Sequence, residues 1–520
     1  MSFKLKYSTK RLLEIVPGAL TWLALLGPIV LSVWIPWVVA IYILTFDLYW
    51  FFRSLRLANF TVRTYKKMRR DMDTDWHNIV KSKDLPTQNG EGHKLVVSQI
   101  SEKDLIHVVL LIYYKESEEL LARSIESYIQ STVDKDKLWL VMASEERAGK
   151  SAKEAFENLK EKYKSHFAKF VQTVHPADIK GEIKCKSANA TWAAKELKKI
   201  LDKKNMRYDH VIIHNFDADT CVAPNYFDYV AYKYLTSVMG EPTSFQPIQL
   251  YSNNIWDAPA MSRVVAQSST MVLMYNTMRP FWYQCFSSRS DVFKTIVDIG
   301  YWTVDSIPED SRQYFDSYFY YEGKIKIEPL FVPLKLDAVL AETWWKTLVN
   351  QYNQLRRWAW GIVDFPYIIE LSIRDRAISF WNKLGKIILL LYNHFTRAIA
   401  AVHIAFVGWM PGILSPEFRE TVLGYNMQIF ARWILTGALL GLFVSIVLQY
   451  LLLPPRPSHR SKWFYINFAW QWLLVPVVSI GLSSVSAIDA QTRLMFGRYL
   501  EYQVTEKAIA VGGKTKKSRQ

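Results

Sequence analysis

The chain has 520 residues, 50% of them hydrophobic and 15% aromatic, and 64 Lys plus Arg against 48 Asp plus Glu leave a formal charge of +16. This composition excludes a disordered or collagen-like chain and allows roughly two to four domains. Its basicity suits nucleic acid or an anionic lipid surface, and the placement of the charges decides between them. Cys185, Cys221 and Cys285 stand far apart and outside any ligand spacing, so neither a disulfide framework nor a structural zinc site is expected, and a reducing compartment is the default.

From the N-terminus, residues 15–52 contain one charge, Asp47. About 20 apolar residues cross a bilayer, so the run predicts two helices with a tight turn near Ser32 to Pro36, where Pro28 and Pro36 can break the helix. It is too long for a signal peptide and reads as an uncleaved anchor. Lys4, Lys6, Lys10 and Arg11 precede it, and seven basic residues follow between Arg53 and Arg70. Both flanks therefore belong in the cytoplasm, as a hairpin allows. Residues 1–57 are assigned to this flank and hairpin, and 58–103 to a cytosolic linker whose stretch 81–94 reads as solvated.

Between 104 and 340 the pattern changes to apolar runs alternating with amphipathic ones, which predicts an α/β domain. Strands are expected at 104–114, 137–144 and 210–220, and helices at 117–132, 152–166 and 188–204. Strand, helix, strand repeats imply a mostly parallel sheet with ligands outside the carboxyl ends of its strands. Interfacial helices are expected at 341–383 and membrane segments at 384–490. Within the latter, 433–455 and 463–488 read as spans joined by a loop carrying Arg456, Arg460 and Lys462. The stretch 384–413, interrupted by Asn393, His394 and Arg397, either spans or lies amphipathically in the interface, and the parity of crossings favours an interfacial or re-entrant segment. The basic tail 491–520 prefers the cytoplasm, which favours an even number of C-terminal crossings. The charge thus sits beside the apolar segments, and a nucleic-acid partner is not expected.

Three constellations can carry chemistry. Asp217 and Asp219 follow an apolar strand, where two carboxylates can converge on a hard divalent cation and the oxygens of a diphosphate. The other Asp-x-Asp pairs, at 71/73, 73/75 and 134/136, lack that context. Glu309 and Asp310 open a helix after Pro308 and offer a carboxylate to take a proton from a hydroxyl. Gln354, Arg357 and Trp358 share one helical face, presenting an amide, a guanidinium suited to a diphosphate and a flat indole. Each has a plain structural reading: a turn capped by Asp217, a helix start, and an interfacial helix with snorkelling Arg356 and anchoring Trp344, Trp345 and Trp360.

In this order, YYKES, NFDADT, IPEDSR and QLRRW resemble the membrane-embedded family 2 glycosyltransferases, the group that includes cellulose and hyaluronan synthases. The resemblance covers roughly 104–365 and the flanking spans. It implies an α/β domain of the GT-A type, with an N-terminal transmembrane hairpin and C-terminal transmembrane helices, that binds a nucleotide-diphosphate sugar, most readily a UDP-sugar. By the same resemblance Asp219 and Asp217 match the Mg²⁺ or Mn²⁺ and diphosphate pair, Asp310 the general base with Glu309 beside it, and Gln354, Arg357 and Trp358 the diphosphate and acceptor motif. Tyr114, Glu116, Lys186 and Asn189 fall near the nucleotide. Lys115 replaces an asparagine, and ASEER replaces an Asp-Asp pair, so Glu145 or Glu146 would contact the uridine or ribose. FQPIQLYSNNIWDAP, opening with Gln246, suits an acceptor channel. FSSRSDVF stands where processive synthases carry glycines, which leaves processivity open. The implied activity is inverting, metal-dependent sugar transfer to a glycan or lipid-linked acceptor in polysaccharide synthesis. Transfer of one sugar to a polyprenyl phosphate and a non-enzymatic transporter or scaffold are the alternatives.

Overall fold

A seven-stranded mixed sheet with strand order β3-β2-β1-β4-β6-β5-β7 forms the centre of one of the chain's two units. The strands are β1 (Ile106–Ile112), β2 (Leu138–Glu145), β3 (Lys169–His175), β4 (Val211–Asp217), β5 (Thr243–Leu250), β6 (Arg289–Val292) and β7 (Lys326–Lys335). The structure is a computed structural model that describes residues 6–82 and 84–501, with two short strands at Ala510–Val511 and Lys514–Thr515. Most of the basic tail lies outside the described residues.

The unbroken apolar run IHVVLLI follows from burial on both faces. Val108, Leu110 and Ile112 pack with Trp139, Val141 and Ala194, whereas Val109 and Leu111 pack with Leu140, Ile125 and Phe227. β1, β2, β3 and β4 pair in parallel, and β6 runs antiparallel between β4 and β5. Ile112 lies level with Ala143 and Asp217, so the carboxyl ends of β1, β2 and β4 form one edge. The expected helices appear at Glu118–Ile129, where Ser117 accepts from the Leu120 amide, and at Lys150–Tyr163 and Lys186–Lys203. β3, β5, β6 and β7 complete the sheet.

This unit comprises 66–255, 279–338 and 507–520, and the other comprises 1–65, 256–278 and 339–506. The expected domain at 104–340 is therefore interrupted: helix Ala260–Asn276 belongs to the second unit, where Val264 and Val265 pack against Leu355, Val478 and Leu482. The expected linker at 58–103 is not a free tether. Helix Pro36–Asp73 runs through its first part, and Trp76 packs on Tyr229 and Tyr232. Solvation holds for 84–94, which is largely exposed.

Among the described residues five helices are long and apolar enough to cross a membrane: Tyr7–Trp34, Pro36–Asp73, Phe380–Ala405, Val422–Leu451 and Phe464–Met495, all in the second unit except positions 66–73. The first two meet at Ile35, inside the expected turn. Pro28 sits within the first helix without ending it, since long apolar helices accommodate the lost hydrogen bond through neighbouring groups. Thr21 and Tyr49, equally far to either side of Ile35, reach the same part of helix Phe380–Ala405. Tyr49 Oη bonds Tyr392, and Thr21 donates to Gln491, whose amide donates to the His394 carbonyl. The pair is therefore a hairpin.

Helix Phe380–Ala405 runs opposite to Pro36–Asp73, with Tyr392 beside Arg53 and His403 beside Phe46 at 5.2 Å between ring centroids. Val422–Leu451 runs with it: Met427 packs near Val39 and Ile43, while Gly437 and Gly441 face Phe51 and Ser54 so closely that a Cβ would collide with them. The last segment differs. A 3-10 turn at Gln471–Leu474, Pro476 and a wide turn at Val478–Ser484 interrupt its regularity. Gln471 shares Gln267 with Gln449, near the end of Val422–Leu451, and Arg11 donates to the carbonyls of Leu494 and Met495. It begins and ends at the same end of the bundle. The segment expected to stop short of crossing, 384–413, instead runs along the hairpin, and its polar residues turn to protein: Lys386 and His403 are buried, and the Arg397 guanidinium lies 5.9 Å from the Trp358 ring centre.

Candidate functional site

The acids gather where β4 ends. Asp217 is its last residue, and Asp219 follows in the turn, fully buried, with Oδ2 accepting from the Asp337 amide at 2.8 Å. Asn253 holds the Asp219 carbonyl, and Arg123 pairs with Asp337 at 2.6 Å, so this turn is pinned from three sides. Asp217 Oδ1 accepts from Lys186 Nζ at 2.7 Å and Oδ2 from Ser288 Oγ at 3.2 Å. The same ammonium lies 3.8 Å from Glu309 Oε1. Lys186 thus joins two carboxylates that are 92 positions apart in the chain.

Glu309 and Asp310 begin helix Glu309–Tyr320, as Pro308 foreshadows. Glu309 is buried, whereas the Asp310 side chain keeps 29% of its surface. Arg289 of β6 lies 3.4 Å from Asp310 and 3.1 Å from Asp291. Burial raises both Glu309 and Asp310 above the usual carboxylate range, with neighbouring acids adding to it and the cations opposing. Burial pulls Lys186 down, but Asp217, Glu309 and Asp310 more than offset this and hold it protonated. A carboxylate with raised proton affinity and partial access, beside a fixed cation, can accept a proton from a hydroxyl.

Tyr114, Glu116 and Glu145 share the same sheet edge. Glu116 accepts from the Tyr114 amide at 2.6 Å, closing the turn after β1. The Arg147 guanidinium lies 4.8 Å from the Tyr114 ring centre and pairs with Glu145, while Glu146 accepts from the Ala177 amide. Two expected contacts are used internally. Asn189 is buried and donates to the Ala143 carbonyl at the end of β2. Gln246 is fully buried in β5, accepting from the Phe286 amide and donating to the Pro247 carbonyl. Each ties a strand to the segment beside it, and Asn189 Oδ1 is buried with no hydrogen-bond partner among the described residues.

Gln354, Arg357 and Trp358 belong to the other unit, on helix Trp344–Ala359. All three are partly exposed on one face, and Gln354 accepts from Gln351 at 2.9 Å. Arg356 does not snorkel: it bonds Asp489 at 3.1 Å, which Tyr352 also reaches. Trp360 is buried, leaving Trp344 and Trp345 as the exposed indoles.

The residues that the sequence did not single out are Ser288, Arg289 and Tyr251. Ser288 has φ 52°, a left-handed conformation that brings its hydroxyl to the Asp217 carboxylate and amide. Tyr251, whose phenol is pushed up by burial and by Asp217, Asp219 and Asp310, faces the acid cluster. The alternation of Arg289 and Asp291 with the small residues Ser288 and Ser290 was the available signal for β6.

Among the described residues no three His, Cys, Asp or Glu side chains converge as metal ligands. Asp217 and Asp219 remain the candidate pair, and Lys186 and Ser288 already bond the Asp217 carboxylate. A hard divalent ion completed by substrate phosphate oxygens fits such a set, since magnesium is commonly held by one or two carboxylates plus phosphates.

No protein-family model and no curated protein matches the chain. Among solved structures it is similar to the mannosyltransferase PcManGT of Pyrobaculum calidifontis, in complex with GDP-Man and Mn²⁺, at 12% identity over 88% of this chain and 100% of that one, with a TM-score of 0.41. It is also similar to S. aureus TarS residues 1–349, at 9% identity over 65% and 90% of the two chains with a TM-score of 0.34, and to the same portion with UDP-GlcNAc at 10% identity, 65% and 90% coverage and 0.30. These likenesses are too distant to carry fold or activity to this chain, and function is read from its side chains.

Proposed function

We propose that this protein transfers a sugar from a nucleotide-diphosphate sugar, a UDP-sugar first among them, to a hydroxyl of a glycan or lipid-linked acceptor at the membrane, with inversion, in polysaccharide synthesis. The observation that carries the reading is Lys186 drawing Asp217 and Glu309 together beside Asp310, at the carboxyl edge of parallel strands. The motif order resembling family 2 glycosyltransferases supports it, as do the five long apolar helices.

Asp310 takes the proton of the attacking hydroxyl. Its raised affinity for protons suits that task near neutral pH, and its partial exposure admits an acceptor. Glu309 and Lys186 set the field around it. Tyr114 and Glu116 line the edge where the base sits. On the other unit, Gln354, Arg357 and Trp358 offer an amide, a guanidinium suited to a diphosphate and a ring suited to a sugar, as the motif resemblance implies. Asp219 and Asp217 would hold Mg²⁺ or Mn²⁺, which when bound supplies positive charge to the departing diphosphate.

The deciding experiment measures nucleoside diphosphate release by the detergent-purified full chain across a donor panel, with Mg²⁺, Mn²⁺ or chelator. Turnover of at least one donor should require the metal, and Asp310→Asn and Asp219→Asn should each lower kcat by about 10² or more. Full activity in both variants, or no metal-dependent turnover of any donor, sinks the reading. A ladder of labelled products indicates a polysaccharide, and one lipid-soluble band a polyprenyl phosphate acceptor.

A further inference from the structure

Among the described residues, Arg263 pairs with no carboxylate. It lies in helix Ala260–Asn276 and is 4% exposed. Its Nε donates to Gln471 Oε1 at 2.6 Å and its Nη1 to the Ala258 carbonyl at 2.8 Å. Both acceptors are neutral, and a guanidinium carries five N–H groups, so most of its donors find no acceptor among the described residues. Phe464 and Phe468 offer ring faces at 5.2 and 4.8 Å, which ease the charge without neutralising it. A buried charge left unpaired is costly, and inside a membrane protein it points to an anionic partner.

The surroundings narrow that partner. Gln267 and Gln449 extend the buried amides around Arg263, through Gln471 Nε2 to Gln267 Oε1 at 2.6 Å and Gln449 Nε2 to the Gln267 carbonyl at 2.8 Å. Arg460 lies over the same Phe464 ring at 4.9 Å and pairs with Asp257 at 2.7 Å, with His459 also on Asp257. Two guanidinium groups therefore share one ring, and of the two Arg460 holds the carboxylate. Arg456 and Lys462 add charge in the same loop, 452–463, which contains no acid. That loop joins two long apolar segments where they reach one end of the bundle. The nearby Trp463, Trp470 and Leu473 are exposed, as side chains at the headgroup level of a bilayer are.

We propose that Arg263, with Arg460 across Phe464, forms a phosphate-binding site at the membrane surface, occupied by the phosphate of a lipid headgroup. Guanidinium groups favour phosphate because two N–H groups can address two of its oxygens. The glutamines fix Arg263 without competing for the anion. The site does not depend on glycosyl transfer.

The test titrates the detergent-solubilised full chain with dioctanoyl phosphatidic acid, dioctanoylglycerol and inorganic phosphate, reading melting temperature and binding by thermophoresis. Phosphatidic acid should raise the melting temperature and dioctanoylglycerol should not. R263Q should weaken phosphatidic acid at least tenfold and R460Q several-fold, while R263K, which keeps charge but loses the planar fork, should fall between wild type and R263Q. Inorganic phosphate that binds as tightly, in an Arg263-dependent way, supports the site and assigns it to free phosphate. Wild-type affinity in monodisperse R263Q overturns the proposal, as does an equal shift with dioctanoylglycerol. Should R263Q fail to fold, unchanged affinity in the partly exposed R460Q overturns it instead.

Discussion

Lys186 settles how the acid cluster can exist at all. Asp217, Glu309 and Asp310 stand close together in a largely desolvated place, and like charges there push one another toward the protonated form. The ammonium, 2.7 Å from Asp217 and 3.8 Å from Glu309, favours their ionised forms, as Arg289 and Lys186 together do for Asp310. Replacing it by methionine keeps the stem and removes the charge. Lys186→Met should therefore raise Glu309 and Asp310 further. A base works only when deprotonated, so its activity is lost as pH falls through its pKa, and a higher pKa moves that loss to higher pH. The acid limb of kcat/KM should shift upward by about one pH unit, corresponding to ~1.4 kcal/mol of lost stabilisation of the charged form. An unmoved acid limb in a folded, active variant rules out this role for Lys186. The family resemblance placed Lys186 only near a nucleotide; its bridging position is invisible in the sequence, because the two acids it joins come from separate elements.

At the scale of elements, the β1–β4 pair holds a second ionisable feature. His107 Nδ1 and His214 Nε2 are 3.0 Å apart, both buried, and His214 Nδ1 meets Ser290 Oγ, which also meets Tyr226. Burial pulls His107 down to about 3 and His214 well below its ordinary value. The folded pair stays neutral while unfolded histidines protonate below about pH 6.5. The unfolded state then binds more protons, so stability falls as pH drops from about 6.5 toward 4, by up to ~1.4 kcal/mol per pH unit for each histidine. His107→Leu with His214→Leu removes both partners together, leaving Ser290 and Tyr226 to each other. Melting from pH 7 to 4.5 should show a shallower acid decline in the double variant, and a parallel decline counts against the account. These two strands were legible in the sequence because both of their faces are buried, which leaves a continuous apolar run. β6 was not, since RSDV alternates charge with small residues and is held by ion pairs rather than burial of apolar surface. Asp217 and Asp219 were legible from their place after an apolar strand. Ser288 and Arg289 reach the same site through a left-handed turn and a buried ion pair, neither of which leaves a periodic trace.

For the whole molecule, the contacts within the helical unit fix which chain positions lie at the same end of the bundle. Arg11 touches Leu494 and Met495, and Tyr499 bonds Glu14, so the start of the first helix and the end of the last segment lie together. Tyr7–Trp34 and Pro36–Asp73 form the hairpin, Phe380–Ala405 opposes the second of these and Val422–Leu451 parallels it. If the first four of these helices cross the membrane, the chain returns to its starting side, and Phe464–Met495 then leaves and rejoins that side. This agrees with the charges: the flank with Lys6, Lys10 and Arg11, the seven basic residues at 53–70 and the loop with Arg456, Arg460 and Lys462 all fall on one face. Arg397 and His394 did not reveal this, because their polarity marks contact with protein rather than exit from the membrane. Single cysteines introduced at Ser8, Ser458 and Arg498 should therefore react with an impermeant maleimide from the same side of sealed vesicles, and one at Ser415 from the other. The three native cysteines are buried, which keeps background labelling low. If Ser458→Cys and Arg498→Cys label from opposite sides, the last segment crosses, the count of crossings becomes odd, and the basic loop and tail lie on opposite faces.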